Sequence, residues 1–116
     1  MIRRTRVYLS GPIGGSGRLT LNVRRAIQVA DELLSLGYAP YVPHLTSFWE
    51  LVQGERPHEQ WLALDKEFLR VCDVVLRLPG VSPGADQEEV WARELGIPVV
   101  RSIEALLNTR VALKEE

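Results

Sequence analysis

Two carboxylates in this chain stand where apolar side chains belong. On a helix, residues three, four and seven apart share a face, so Glu88 in the segment from Ser82 to Leu95 lies with Trp91, Ala92 and Leu95, the stripe due to pack on a core. Asp65 keeps similar company: its helical neighbours are Trp61, Leu62, Phe68 and Leu69, whereas Lys66 and Glu67 turn toward Arg70 and water. Glu89 falls with Arg93 on the solvent side. A buried carboxylate is costly unless paired or protonated, and acids with perturbed pKa values concentrate at catalytic sites. Two such groups, pushed apart in pKa by their surroundings, can divide the roles of nucleophile and proton carrier. Structural readings stand beside this one. An acid in a first helical turn complements the macrodipole, and Asp65 could equally pair with an arginine at the core edge.

The stretch Gly11-Pro12-Ile13-Gly14-Gly15-Ser16-Gly17 offers closely approachable backbone N–H groups that could cradle a phosphate, as does the start of the Glu88 helix. It lacks the dinucleotide fingerprint and the Gly-Lys-Ser/Thr ending of a Walker loop, and a tight turn is the alternative reading.

The elements that must position these groups alternate. Val7-Tyr8-Leu9 reads as a strand running into the glycine stretch. A helix follows, with Val23, Ile27, Ala30 and Leu34 as its core stripe, Thr20 or Asn22 as cap and Gly37 at its end. Tyr38 to Val42 reads as a second strand. From His44 to Arg56 the period is lost, yet Leu45, Phe48, Trp49, Leu51 and Val52 are too many apolar groups for an idle loop. Pro57 opens a helix with Trp61, Leu64, Phe68 and Val71 as its stripe, and Asp73 to Leu78 is a third strand entering the loop that leads to Glu88. Ile97 to Val100 makes a fourth strand, at an edge on account of Pro98, and Ser102 caps a last helix. Such alternation predicts one α/β domain over residues 1–116, a doubly wound, flavodoxin-like or Rossmann-like sheet of four or five mostly parallel strands with helices on both faces. The flavodoxin-like order places strands one and three side by side at the switch point, so the two glycine loops would flank one crevice.

Composition narrows the partners. With 116 residues, net charge −1 and 25% charged residues, the chain has no field to draw it to a nucleic acid polymer or an anionic membrane. No apolar run reaches the roughly 18 residues of a membrane span, and the N-terminal residues have no signal-type stretch, so a cytoplasmic protein is expected. Cys72, His44 and His58 form no metal-ligand spacing, and no cofactor is implied. The surplus of apolar residues from His44 to Val52, with Val90, predicts a homodimer or larger homo-oligomer.

Taken together, these motifs resemble the nucleoside 2-deoxyribosyltransferase superfamily, which includes the 2'-deoxynucleoside 5'-phosphate N-hydrolases and a branch of small bacterial and phage proteins. Tyr8-Leu9-Ser10-Gly11-Pro12-Ile13 is similar to the family's first strand and glycine turn, and Asp65 ahead of Asp73-Val74-Val75 to its helix aspartate. Ser82-x-Gly84-x-x-x-Glu88 resembles the segment carrying the family nucleophile, followed by Leu95-Gly96-Ile97-Pro98-Val99. The wording Pro43-His44-Leu45-Thr46-Ser47-Phe48-Trp49 looks like the small branch. Val90 stands where the family usually has a glycine, which predicts a different pocket floor.

The resemblance implies cleavage of the N-glycosidic bond of a nucleoside or nucleoside 5'-monophosphate, by hydrolysis or by transfer to another base. Glu88 would form a covalent glycosyl intermediate, and Asp65 would hold the sugar or Glu88 and share the proton handling. Ser82, Gly84 and the turn with Ser10, Gly11, Ile13, Gly14 and Gly15 would hold the 5' end, Tyr8 would line the sugar site, and Trp49 and His44 would meet the base. The alternatives are a nucleotide-binding sensor without turnover, and a phosphoribohydrolase of the cytokinin-activating type, whose motif Pro79-Gly80 with Gly84 and Glu88 partly resembles.

Overall fold

The strand Val74–Arg77 (β3) is buried along its whole length, as its unbroken run of large residues requires, since a strand covered on both faces has no side to give to water. In the computed structural model, which describes residues 3–14 and 17–115, β3 pairs with β1 (Arg6–Ser10) on one side and β4 (Val99–Val100) on the other. The remaining strand, β2 (Ala39–Tyr41), lies beyond β1. The order is β2-β1-β3-β4 and every pairing is parallel. Register sets Val7 against Val74, Tyr8 against Val75, Leu9 against Leu76 and Ser10 against Arg77.

Strand alternation divides these residues between two faces. Val7, Leu9, Val74 and Leu76 meet Ala26, Ala30 and Leu33 of α1 (Leu19–Ser35) and Leu106 of α5 (Ile103–Leu107). Tyr8 and Val75 turn the other way, into a cluster with Leu69 of α3 (His58–Leu69) and Ala92 of α4 (Pro83–Glu94). By the same alternation Ser10 and Arg77, adjacent at the carboxyl ends of the central strands, belong to the α3/α4 face. The chain is thus the doubly wound α/β sandwich that its pattern predicts, with four strands. No helix among the described residues is long and apolar enough to cross a membrane.

Three helical readings need correction. The stripe of α1 is Val23, Ala26, Ala30 and Leu33, while Ile27 and Leu34 are 41% and 55% exposed; both sets have helical spacing, and the sheet selects the one with the smaller alanines. In α3, Phe68 is 44% exposed, as is Val71 beyond the helix end, and the buried residues are Asp65 and Leu69. Phe68 instead stacks on Tyr41 with ring centroids 4.8 Å apart. The expected cap Asn22 is buried within the first turn of α1, where its side-chain amide donates to the Ile13 carbonyl at 2.8 Å and ties down the glycine loop. The aperiodic segment after β2 forms a single 3-10 turn, Pro43–Leu45, and a short helix, α2 (Thr46–Gln53).

Two loops cross closely at the carboxyl end of the sheet. A Cβ on Gly11 would stand 2.8 Å from Leu78 Cβ, and one on Gly80 would stand 2.9 Å from Pro12 Cγ. Gly80 also has φ +117°, a conformation that only glycine adopts without strain. At the opposite end of the strands, Asp73 gathers the two ends of the chain. Its carboxylate accepts from Arg3 Nη1 and Nη2 at 2.7 and 2.8 Å, from the Arg6 backbone N–H at 2.8 Å and from that of Lys114 at 2.7 Å. Burial acts to raise its pKa, but these donors prevail and hold it at about 2.

A carboxyl group held below its unfolded pKa stabilises the fold above that unfolded value and loses the contribution as pH falls through the folded one. Asp73→Asn is therefore expected to cost about 2 to 4 kcal/mol at neutral pH. Denaturant titrations should show the gap to wild type closing as pH falls from about 4 toward about 2.

Candidate active site

Ser82 starts α4 by accepting the Ala85 N–H on its hydroxyl at 3.1 Å, with Pro83 in the first turn. That start fixes the helix phase which delivers Glu88, 6% exposed, beneath the carboxyl ends of β1 and β3. The Tyr8 hydroxyl donates to Glu88 Oε2, and the Ser10 hydroxyl donates to Oε1 at 2.8 Å. Both donors come from one face of β1, so the strand's pleat holds the carboxylate at two points. Burial raises the Glu88 pKa, while the Tyr8 and Ser10 hydrogen bonds and the charges of Arg77 and His58 act against it, leaving it above the ordinary carboxylate range. The Tyr8 phenol is itself pushed far up, first by burial and then by the Glu88 charge, and stays a donor.

Asp65, 5% exposed, shares this environment from α3. Burial first, and then the charge of Glu88, push its pKa up to about 7, although the Tyr41 hydroxyl at 3.4 Å draws it down somewhat. The two carboxyls therefore differ in kind: Glu88 is gripped by two hydroxyls, whereas Asp65 holds a proton near neutrality.

Both line one cavity of about 690 Å³. Its first wall is the loop Gly11 to Gly14, its second is Val81 to Ala85 with Glu88, and its third is one stripe of α3, namely His58, Trp61, Leu62 and Asp65, with Thr46 of α2 beside it. The α3 stripe spans about 10 Å along the helix axis and grades from an exposed histidine through two half-buried apolar residues to a buried acid. The crevice expected between the two glycine loops is this cavity, and Glu88, Asp65, Gly11, Ile13, Gly14, Ser82 and Gly84 all line it. Tyr8 and Ser10 lie behind Glu88 and hold it. Gly15 falls outside the described residues.

Other expected placements fail. His44 is fully buried in the 3-10 turn, away from the cavity lining. Neither ring nitrogen makes a hydrogen bond of good geometry. Burial pushes its pKa down to about 4, opposed only by the nearby Pro12 carbonyl, so the ring is a neutral packing group. Trp49 does not line the cavity either. It meets Trp61 edge to face, with centroids 5.2 Å apart, and supports the wall from outside. Glu89, expected in solvent, is 8% exposed and accepts from Arg77 Nη1 at 2.7 Å and Arg101 Nη2 at 2.8 Å. Val90 faces a different groove, with Arg93 and Arg101, and leaves the cavity floor untouched. The residues missed are His58, Trp61, Leu62, Thr46 and Val81. Stepping back four and seven positions from Asp65 would have found Trp61 and His58. Among the described residues no three His, Cys, Asp or Glu side chains converge as metal ligands would.

Because a buried carboxyl with a raised pKa favours the fold when protonated, its contribution is present below the unfolded pKa and lost as pH rises through about 7. Asp65→Asn should therefore leave the melting temperature unchanged near pH 4 and raise it by several degrees at pH 8, for about 2 kcal/mol after discounting for solvent screening. Thermal melts of the two proteins across that range check this.

The family profile described as "Domain of unknown function (DUF7768)" matches residues 5–102. No curated protein matches the chain. Among solved structures, a 2-deoxyribosyltransferase from the psychrotolerant bacterium Bacillus psychrosaccharolyticus superposes with a TM-score of 0.59 at 22% identity, over 97% of this chain and 87% of that one. At that identity the likeness is one of fold.

Proposed function

We propose a reaction for a chain that belongs to the DUF7768 family: cleavage of the N-glycosidic bond of a nucleoside or nucleoside 5'-monophosphate through a glycosyl–Glu88 intermediate. The observation that carries the proposal is Glu88 itself, a buried carboxylate held at both oxygens by Tyr8 and Ser10 and facing a cavity that it shares with Asp65. The cavity volume lies within the range of small-ligand sites, and the fold likeness to a 2-deoxyribosyltransferase agrees with the reading.

In the first step a Glu88 oxygen attacks the anomeric carbon as the carbon–nitrogen bond breaks, and the base departs with the bonding electrons. Asp65, whose pKa lies near 7, holds a proton that the departing base can take, or orients the sugar hydroxyls. In the second step water or another base attacks the same carbon and frees the Glu88 carboxylate, with Asp65 recovering the proton that the attacking water O–H or base N–H gives up. Tyr8 and Ser10 keep the nucleophile aimed through both steps. The half-buried Trp61 offers a flat apolar face to the base, and the Gly11 to Gly14 loop, Ser82 and Gly84 offer polar groups to the 5' end. The sensor reading drew on Val90, which lies outside the cavity, and the enzyme reading stands ahead of it.

Chromatography of nucleosides and nucleoside monophosphates incubated with the protein tests the reaction. Free base indicates hydrolysis, an exchanged nucleoside with an added base indicates transfer, and neither product from any substrate would end the proposal. Glu88→Gln is expected to lower turnover by at least about 10³-fold. The acid limb of the wild-type pH–rate profile should lie above the range of a free carboxylate, because the raised Glu88 must ionise to attack.

A homo-oligomer is part of the same proposal. On α2, Phe48, Trp49, Leu51 and Val52 are 55%, 50%, 81% and 76% exposed, an apolar surface that a second copy would cover. Sedimentation at micromolar concentration should give a dimer or larger, and a monomer there would refute it.

A further inference from the structure

We infer that Arg77 is a positioning residue for Glu88: from behind the cavity wall it fixes the rotation of α4 that presents Glu88 to Tyr8 and Ser10. The inference rests on the reading of Glu88 as nucleophile. Arg77 ends β3, is 8% exposed, and is the register partner of Ser10 on the same face of the sheet. These neighbours grip neighbours, since Ser10 holds Glu88 and Arg77 holds Glu89.

The guanidinium connects three pieces of chain. Nε donates to the Leu78 carbonyl at 3.2 Å and Nη2 to the Gly80 carbonyl at 2.9 Å, which secures the loop after β3. Nη1 donates to Asp86 Oδ1 at 2.8 Å and Glu89 Oε2 at 2.7 Å, which secures the first two turns of α4. Arg101, just past β4, takes the other Glu89 oxygen at 2.8 Å. None of Arg77, Asp86 and Glu89 lines the cavity; they line a separate groove of about 590 Å³.

Successive helical residues point about 100° apart, so a helix held by Asp86 and Glu89 from one side has no freedom to turn Glu88 away on the other. A planar fork with several donors can make this connection where an ammonium cannot. The Arg77 charge also favours the ionised form of Glu88. The groups that bear on the titration of Glu88 are Tyr8 and Ser10 of β1, Arg77 of β3 and His58 of α3, coupled to it are Asp65 of α3 and Tyr41 of β2, and Glu89 flanks it in the chain.

The test compares wild type with Arg77→Gln, Arg77→Lys and Glu89→Gln, reading the Glu88 side-chain pKa by carboxyl ¹³C NMR (assigned with Glu88→Gln) and kcat and KM for base release. Arg77→Gln should raise the Glu88 pKa and lower kcat about 10²-fold with KM little changed. Arg77→Lys keeps the charge and loses the fork, so the pKa should stay near wild type while kcat still falls at least about tenfold. Glu89→Gln unmasks the Arg77 charge and should lower the Glu88 pKa. If Arg77→Gln does not fold, the other two variants carry the test. Cooperatively folding Arg77 variants with wild-type Glu88 pKa and kcat would overturn the inference. Absence of base release in the wild type would overturn the proposed reaction instead, and the NMR titration would still decide the role of Arg77.

Discussion

The fold brings a carboxylate to the end of a parallel sheet and keeps it there with hydroxyls from the neighbouring strand. Taking Glu88 out of water is unfavourable by several kcal/mol in principle, and two donors on one strand face offset much of that. Everything around the cavity serves this arrangement. The pleat of β1 sends Tyr8 and Ser10 to the α4 side, the Ser82 cap sets the helix phase, and Tyr8 stacks on Tyr41 at 5.5 Å so that its own orientation is held. A sheet slipped by one residue would send both hydroxyls into the apolar layer under α1.

The second carboxyl depends on the first. Asp65 is near neutrality in its titration because it is buried and because Glu88 is already there. Removing the charge of either alters the other, as with any pair of interacting acids. Burial therefore acts electrostatically as well as sterically at Asp65, whose helical neighbours Trp61, Leu62 and Leu69 are all apolar.

Much of this was legible from the chain alone, for a definable reason. The alternation of strands and helices and the inward direction of Glu88 and Asp65 follow from local periodicity, which is written in the sequence, and the adjacency of the two glycine loops follows from the strand order that such alternation favours. Failures occurred where a distant residue decides the outcome. Glu89 reads as exposed by helix arithmetic, yet Arg77 at the end of β3 and Arg101 just past β4 both pair with it. His44 reads as a polar group on a loop, yet the 3-10 turn carries it into the interior, where the Pro12 carbonyl is the polar group beside the ring. For α1 the pattern fitted two stripes equally, and only the sheet could choose between them.

The crossing of the two glycine loops bears on how such a chain can diversify. Gly11 lies against Leu78 and Gly80 against Pro12, so neither loop can gain a side chain or change its path without displacing the other. One bank of the cavity is consequently frozen as a unit. The opposite bank is lined by Thr46 of α2 and His58, Trp61 and Leu62 of α3, none of them a glycine whose Cβ would strike a neighbouring loop. Single substitutions at Thr46, His58, Trp61 or Leu62 alter the lining of that bank without touching the packing of Gly11 on Leu78 or of Gly80 on Pro12. A scaffold split in this way separates the evolution of what is accepted from the preservation of how it is handled.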